Sequence, residues 1–467
     1  MHISTLWGDY SCGSFGKAAT EWIDYLAECG FTYWQVLPFC LPDECNSPYK
    51  SFSAFSLNPD FIDLDLLCES GLLTKSELTS ARQSTPYSCE FDRLAEERLP
   101  LLAKAADRFS GWDKVGVFLA EHPHTADFCT FMAQRESNGK VIWQEWKNTT
   151  PDPAALKVWQ FAEYTAFSQW QAVRSYAAEK NVKIIGDIPI YVAPDSSDVM
   201  YSPSLFRLDK KGYPTSVAGC PPDYFCADGQ LWGNPLYDWS AMRSDGYRWW
   251  KDRVAFMAEM FDGMRIDHFR ALSSYYSIPA DDENARNGKW MKGPGMELVN
   301  AIKEAAKDTL IIAEDLGDID DSVRRLVDKS GFPGMRVFQF GFLGDRNSPH
   351  LPHSYINNCV AYTGTHDNNT LLGFIWEENE HRREILEYCG YLSPDWNACY
   401  DSILRTMFAS SAGLVILPVQ DILLYGSDTR MNKPGVSRGN WSLRLTKEQL
   451  SSVDKPKFRR FNEIYGR

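Results

Sequence analysis

Short apolar, β-prone runs that end on a polar or charged residue recur along the chain, separated by longer stretches of helical period. In order they are HISTL (2–6), YWQVLP (33–38), VKIIGDIPI (182–190), FDGMRIDHF (261–269), TLIIAEDLG (309–317), MRVFQF (335–340), CVAYTGTHD (359–367) and LVILPVQD (414–421). Eight such runs alternating with helices predict an α/β fold, a closed parallel (β/α)8 barrel of the TIM type. From Pro153 to Lys180, the residues Leu156, Trp159, Ala162, Ala166, Trp170 and Val173 recur at helical spacing, and Asp152 stands where an N-cap belongs. One long helix is predicted there.

The spacing of the runs is uneven. Residues 65–165 part the second run from the third, too many for one crossover helix, and predict a mostly helical insertion. Residues 195–245 are rich in Gly and Pro and read as one long loop. A loop of that length inside a compact domain is functional or disordered, and its aromatic residues point to an active-site lid. No low-complexity tract and no internal repeat stands out, so residues 1–467 read as a single catalytic barrel carrying two insertions.

Composition narrows the class of ligand. With 467 residues and 44% apolar side chains, a large core can be buried. Aromatic residues make up 14%, including 16 Trp and 22 Tyr, which beyond the core suits a groove that stacks on flat sugar faces. The net charge of −14 argues against nucleic acid or an anionic membrane as partner and leaves a neutral ligand unpenalised. Twelve cysteines occur without a CxxC pair, and the close spacings Cys40–Cys45 and Cys220–Cys226 match no usual zinc pattern. Reduced thiols and no metal are expected. The start MHISTLWGDY lacks the basic and apolar regions of a signal peptide. No apolar run approaches the ~20 residues of a membrane span, and a soluble, cytoplasmic protein is expected.

In a (β/α)8 barrel, chemistry sits at the C-terminal ends of the strands. Asp187, Asp267, Glu314 and Asp367 all fall at such ends. Each alone fits a helix N-cap or a barrel ion pair. Together, with no Cys/His/Ser nucleophile pattern in competition, they point to acid-type group transfer, the chemistry by which carboxylate pairs cleave glycosidic bonds. Spacing along the chain does not give their separation, so retaining and inverting outcomes both stay open. Arg265 and Asp267 are two apart in a strand and share a face. A guanidinium there would keep Asp267 ionised as a nucleophile requires; a structural ion pair fits the same spacing. Glu314 follows the apolar IIA, which favours the protonated form of a general acid, whereas Asp315 should point the other way. His366 and Asp367 lie beyond YTGT, whose short polar groups suit sugar hydroxyls.

The segments SPYKSFSAFSLNP (47–59), GDIPIYVAPDS (186–196), AGCPPDYFCADGQLWGNPLYDW (218–239), FDGMRIDHFR (261–270), IIAEDLG (311–317) and YTGTHDNNT (362–370) together resemble the amylomaltase (4-α-glucanotransferase) family of the α-amylase clan. The similarity runs from the N-terminus to about Asn440. It implies a retaining double displacement that moves α-1,4-glucan segments from a maltodextrin donor to glucose or another glucan, with no cofactor. By the same resemblance Asp267 is the nucleophile, Glu314 the acid/base, and Asp367 the carboxylate that holds the sugar 2- and 3-hydroxyls. Arg265 and His366 match supporting residues, and Asp187 matches a donor-site carboxylate. Tyr49 resembles the aromatic that stacks on the donor sugar, and Gln230 and Trp232 resemble lid residues.

The chain departs from the family pattern at its N-terminal turn, where Trp7 replaces a proline and Ser11 a glycine, and at Leu443, where a second Trp is usual. The rival reading is an α-amylase-like hydrolase, which shares the chemistry up to the glycosyl-enzyme and differs in what attacks it. A barrel that only binds glucan would be expected to lack one of the three carboxylates, and phosphorolysis would need a phosphate cradle of which no usual Gly-rich form is seen. Without a starch-binding module beside the barrel, soluble maltodextrins are the expected substrates.

Overall fold

The computed structural model describes residues 1–42, 45–222, 227–344, 346–377, 379–390, 396–436 and 438–467. Among them the strands, in chain order, are β1 (Tyr33–Gln35), β2 (Lys183–Ile188), β3 (Ser216–Cys220), β4 (Gln230–Pro235), β5 (Gly263–Ile266) and β6 (Ser274–Pro279). They continue with β7 (Lys289–Lys292), β8 (Leu310–Ala313), β9 (Gly334–Val337), β10 (Cys359–Tyr362) and β11 (Leu414–Ile416). A seven-stranded parallel sheet runs in the order β1-β2-β5-β8-β9-β10-β11, with helices packed outside it. This is a (β/α)8-type barrel.

The run HISTL is not the eighth strand. Ile3–Thr5 form a 3-10 turn instead, closed by Thr5 N–H donating to His2 O and Leu6 N–H to Ile3 O. β-Branched composition favours extended backbone here, but tertiary packing prevails. Gly13 lies so close to the Ile3 carbonyl that no side chain would fit between them, and Leu445 N–H donates to Thr5 O. The turn fills the seam between β1 and β11: the Trp34 indole donates to Met1 O at 2.6 Å, and Met1 lines a cavity with Gln35 and Ile416.

Inside the barrel, Ile185, Ile312, Met335, Val337, Val360 and Tyr362 form a buried cluster of their own. Strand period then dictates the mouth of the barrel. The alternation that turns Ile185 inward turns Asp187 inward at the strand's end, and Ile312 does the same for Glu314. Arg265 and Asp267 share one face of β5 in the same way.

Between β1 and β2 lie helices Leu64–Glu69, Lys75–Ser80, Phe91–Arg108, Trp112–Glu121, Pro123–Ser137 and Pro153–Glu179. The last is the long helix read from the sequence; Asp152 caps it by accepting Ala155 N–H at 2.7 Å, and Trp159, Ala162, Ala166, Trp170 and Val173 are buried. Residues 195–245 are not one continuous loop. They carry β3 and β4, which join β6 and β7 in a four-stranded antiparallel sheet of order β4-β3-β6-β7 beside the barrel mouth. Frequent Gly and Pro hide these strands, since both residues are depleted in sheets. Cys226, and with it the Cys220–Cys226 spacing and positions 223–226 of the motif at 218–239, lies outside the described residues. Among the described residues no helix is long and apolar enough to cross a membrane.

Candidate active site

Arg265 organises the floor of the mouth. From β5 its Nη1 donates to both carboxylate oxygens of Asp187, at 2.9 and 2.8 Å, and its Nη2 donates to Asp267 Oδ1 at 2.7 Å. The planar guanidinium suits two carboxylates at once. Asp187 is 2% exposed, and its Oδ2 also accepts the Tyr49 hydroxyl at 2.7 Å. It reaches the cleft through Arg265 and Tyr49 rather than lying on the cleft surface. Asp267 is more open, with 29% of its side chain exposed.

Glu314 stands one strand over, directly after β8. Its Oε2 accepts His268 N–H at 2.6 Å and its Oε1 accepts Leu316 N–H at 2.8 Å. His268 adopts a left-handed backbone conformation (φ 48°), uncommon outside glycine. Glu314 is buried, and burial pushes its carboxyl up to about 7, with Arg265 opposing and Asp267 reinforcing the rise. Its neighbour Asp315 turns away, accepting Met335 N–H at 2.7 Å and pairing with Arg336 at 3.1 Å.

Beyond β10, His366 and Asp367 form the opposite wall. The His366 and Tyr49 rings stack at 5.0 Å between centroids, and His366 Nε2 lies 3.4 Å from Asp367 Oδ1. Burial works against the His366 imidazolium, but the Asp367 carboxylate outweighs it and raises the ring's pKa. Burial likewise opposes Asp367; the imidazole and the Asn432 amide overcome it and hold the carboxyl below its usual range. The side chain of Asp367 is 48% exposed and faces the cleft. A cavity of about 110 Å³ beside Arg265 and His366 runs down along β11 to Met1. Asp267, Glu314 and Asp367 do not line it.

Trp232, on β4, closes one side: its ring meets His268 edge-on at 4.9 Å, and its indole donates to Gln230 Oε1 at 3.0 Å. Both residues thus come to the site, Trp232 through the residue that follows Asp267. Three side chains here escaped the sequence reading. Asn432 donates from Nδ2 to Asp367 Oδ1 at 2.6 Å and from its backbone N–H to His366 O at 3.1 Å. Arg430 Nη2 donates to Asp367 O at 2.6 Å. Trp441 lies 5.9 Å from the Tyr49 ring and 5.7 Å from that of His366. All three lie in irregular backbone, where no period along the chain places them.

Three carboxylates beyond the ends of β5, β8 and β10, one paired to a guanidinium and one protonatable near neutrality, form a set fit for glycosyl transfer. The family model described as 4-alpha-glucanotransferase matches residues 1–450. The chain belongs to the 4-alpha-glucanotransferase family. It is 39% identical to the 4-alpha-glucanotransferase of Clostridium butyricum, with 100% of both chains covered. It is 36% identical to that of Thermus thermophilus, covering 100% of this chain and 98% of the relative. The solved amylomaltase from Streptococcus agalactiae in complex with acarbose superposes with a TM-score of 0.95 at 36% identity, covering 100% of this chain and 98% of that one. A member of this family is therefore similar to its relatives across the whole barrel, both insertions included.

Proposed function

We propose that the protein is a 4-α-glucanotransferase that passes α-1,4-glucan segments from a maltodextrin donor to the 4-hydroxyl of glucose or another glucan by a retaining double displacement. The observation that carries the reading is the pairing of two unlike carboxyls: Asp267 bonded to Arg265 at 2.7 Å, and Glu314 buried with its carboxyl near 7. In the first half-reaction the Asp267 carboxylate attacks the anomeric carbon, while Glu314 gives its proton to the departing glycosidic oxygen. In the second, the Glu314 carboxylate takes the proton of the acceptor 4-hydroxyl, whose oxygen attacks the same carbon and frees Asp267.

Asp367, with oxygens exposed to the cleft, is suited to grip the sugar 2- and 3-hydroxyls and to stabilise the oxocarbenium-like transition state. Tyr49 and His366 offer a ring surface for the donor sugar, and Asp187 supports that surface through Tyr49 and Arg265. The insertion at 65–165 is read as a helical subdomain, and residues 195–245 as the lid that brings Gln230 and Trp232 over the site.

Hydrolysis shares the first half-reaction, and the partition rests on what reaches the glycosyl-enzyme. Trp232, packed on His268 next to the nucleophile, is placed to exclude water and seat an acceptor. Incubation with an activated fluorinated donor should leave a glucosyl ester on Asp267, detected by peptide mass spectrometry. Maltose added to that ester should release it as a longer glucan. A label on Asp187 or Asp367, or release only to water, would overturn the reading.

A further inference from the structure

Asp421 closes the sequence run that contains β11, so by position it resembles the carboxylates at the other strand ends. It does not enter the cleft. It sits in the short helix Val419–Ile422, 0% exposed, behind the segment that carries His366 and Asp367. Its Oδ2 accepts the Thr363 hydroxyl at 2.5 Å, and its Oδ1 accepts Leu371 N–H at 2.8 Å. Thr363 follows the last residue of β10, and Leu371 opens helix Leu371–Glu377. One buried carboxylate therefore holds both feet of the excursion from Gly364 to Thr370, at whose tip His366 and Asp367 meet the cleft.

The same short helix holds the other support of that tip. Gln420 Nε2 donates to Thr429 O at 3.1 Å, and the strap that follows supplies Arg430 and Asn432 to Asp367. Two neighbouring side chains thus fix the loop and the strap against each other. Among the described residues no cation is paired with Asp421, so the carboxylate is committed to these two donors. Tyr400 OH donates to the Asp421 backbone carbonyl at 2.9 Å, which fixes the short helix in turn.

We infer that Asp421 is a positioning residue for glycosyl transfer, setting the place of Asp367 by tying Thr363 to Leu371 at the base of its loop. The inference rests on the role proposed above for Asp367. A misplacement of about 1 Å, caused by a change away from the chemistry, can cost on the order of 10²-fold in rate. Asp421→Ala frees both feet and is expected to lower kcat by roughly that factor, with a smaller change in KM. Asp421→Asn can still accept from Leu371 N–H and can donate to Thr363 Oγ1 with the hydroxyl turned round. It should recover most of the lost turnover.

The deciding experiment is a double-mutant cycle on turnover of an activated maltosyl fluoride, using Asp367→Asn, Asp421→Ala and the double variant, with thermal unfolding followed on each. If Asp421 acts through Asp367, its penalty shrinks towards nothing once Asp367 is already disabled. Equal penalties in both backgrounds, or wild-type kcat in Asp421→Ala, would overturn the inference. Should Asp421→Ala fail to fold, Thr363→Val takes its place in the cycle under the same criterion. Full activity in Asp367→Asn alone would instead remove the role assigned to Asp367, and the inference with it; an impaired Asp367→Asn with an additive Asp421 penalty removes the inference only.

Discussion

Glu314 accepts the backbone N–H of His268 at 2.6 Å, so the proposed acid is bound to the residue directly after the proposed nucleophile, Asp267. Glu314 and Asp267 are thus tied through one stretch of backbone rather than set as two independent side chains. The left-handed conformation of His268 points its N–H at the carboxylate, the kind of local outlier that gathers at functional sites.

Replacing Glu314 by Gln keeps the shape and removes the proton. Turnover of natural maltodextrins should fall by roughly 10²–10⁴-fold, the usual contribution of a general acid. Donors with good leaving groups, such as maltosyl fluoride, should be spared in the first half-reaction. Steady-state rates on both donor classes check this; an equal loss on both would exclude Glu314 as the acid.

The Glu314 carboxyl near 7 also sets a pH signature. In an unfolded chain a Glu releases its proton near 4.3. Between that value and about 7 the folded state holds the proton more tightly, so this group's contribution to stability falls as pH rises and levels off above the folded pKa. Glu314→Gln should match the wild type in melting temperature near pH 4 and exceed it near pH 8. The wild-type rate on natural donors should decline above about pH 7 as the acid loses its proton. Melting curves and rate profiles over that range test both statements.

Arg265 bridges two carboxylates, pairing with Asp187 at 2.8 Å and with Asp267 at 2.7 Å. Arg265→Ala should destabilise the fold by about 3–5 kcal/mol, because Asp187 remains buried and uncompensated. Arg265→Lys keeps the charge but not the fork, and should fold while losing turnover. Urea denaturation and kcat on maltotriose separate the two effects.

Asn432→Ala removes a hydrogen bond to a charged group, worth about 1.5–3 kcal/mol. If that energy orients Asp367 for the transition state, kcat/KM should fall by roughly 10- to 100-fold with little change in melting temperature. Unchanged kinetics would show that His366 and Arg430 suffice to hold Asp367.

Much of this site is legible in the sequence because strand period carries it. Ile185 predicts the inward face of Asp187, Ile312 that of Glu314, and Arg265 that of Asp267, each by a spacing of two. The wall formed by Arg430, Asn432 and Trp441 is not legible, since these residues lie in irregular backbone with no period to place them. The hairpin of β3 and β4 is masked by its Gly and Pro content. HISTL misleads for the opposite reason: its local preference is extended, and contacts from Gly13 and Leu445 override it.

Trp232→Ala should weaken acceptor use and raise the ratio of hydrolysis to transfer, because the ring packs edge-on against His268, next to the proposed nucleophile Asp267. New reducing ends formed from a maltodextrin donor, measured against elongated product, give that ratio. A wild-type ratio would assign Trp232 to packing alone.

The most direct test of the central claim is product analysis from maltotriose as sole substrate, with reducing ends counted over time. Each transfer breaks one α-1,4 bond and forms another, so a 4-α-glucanotransferase yields glucose and a ladder of longer maltodextrins at a nearly constant number of reducing ends. Added glucose should shift the ladder towards shorter chains, because it competes as acceptor for the glycosyl-enzyme. A steady rise in reducing ends without longer products would contradict the account and leave a hydrolase in its place.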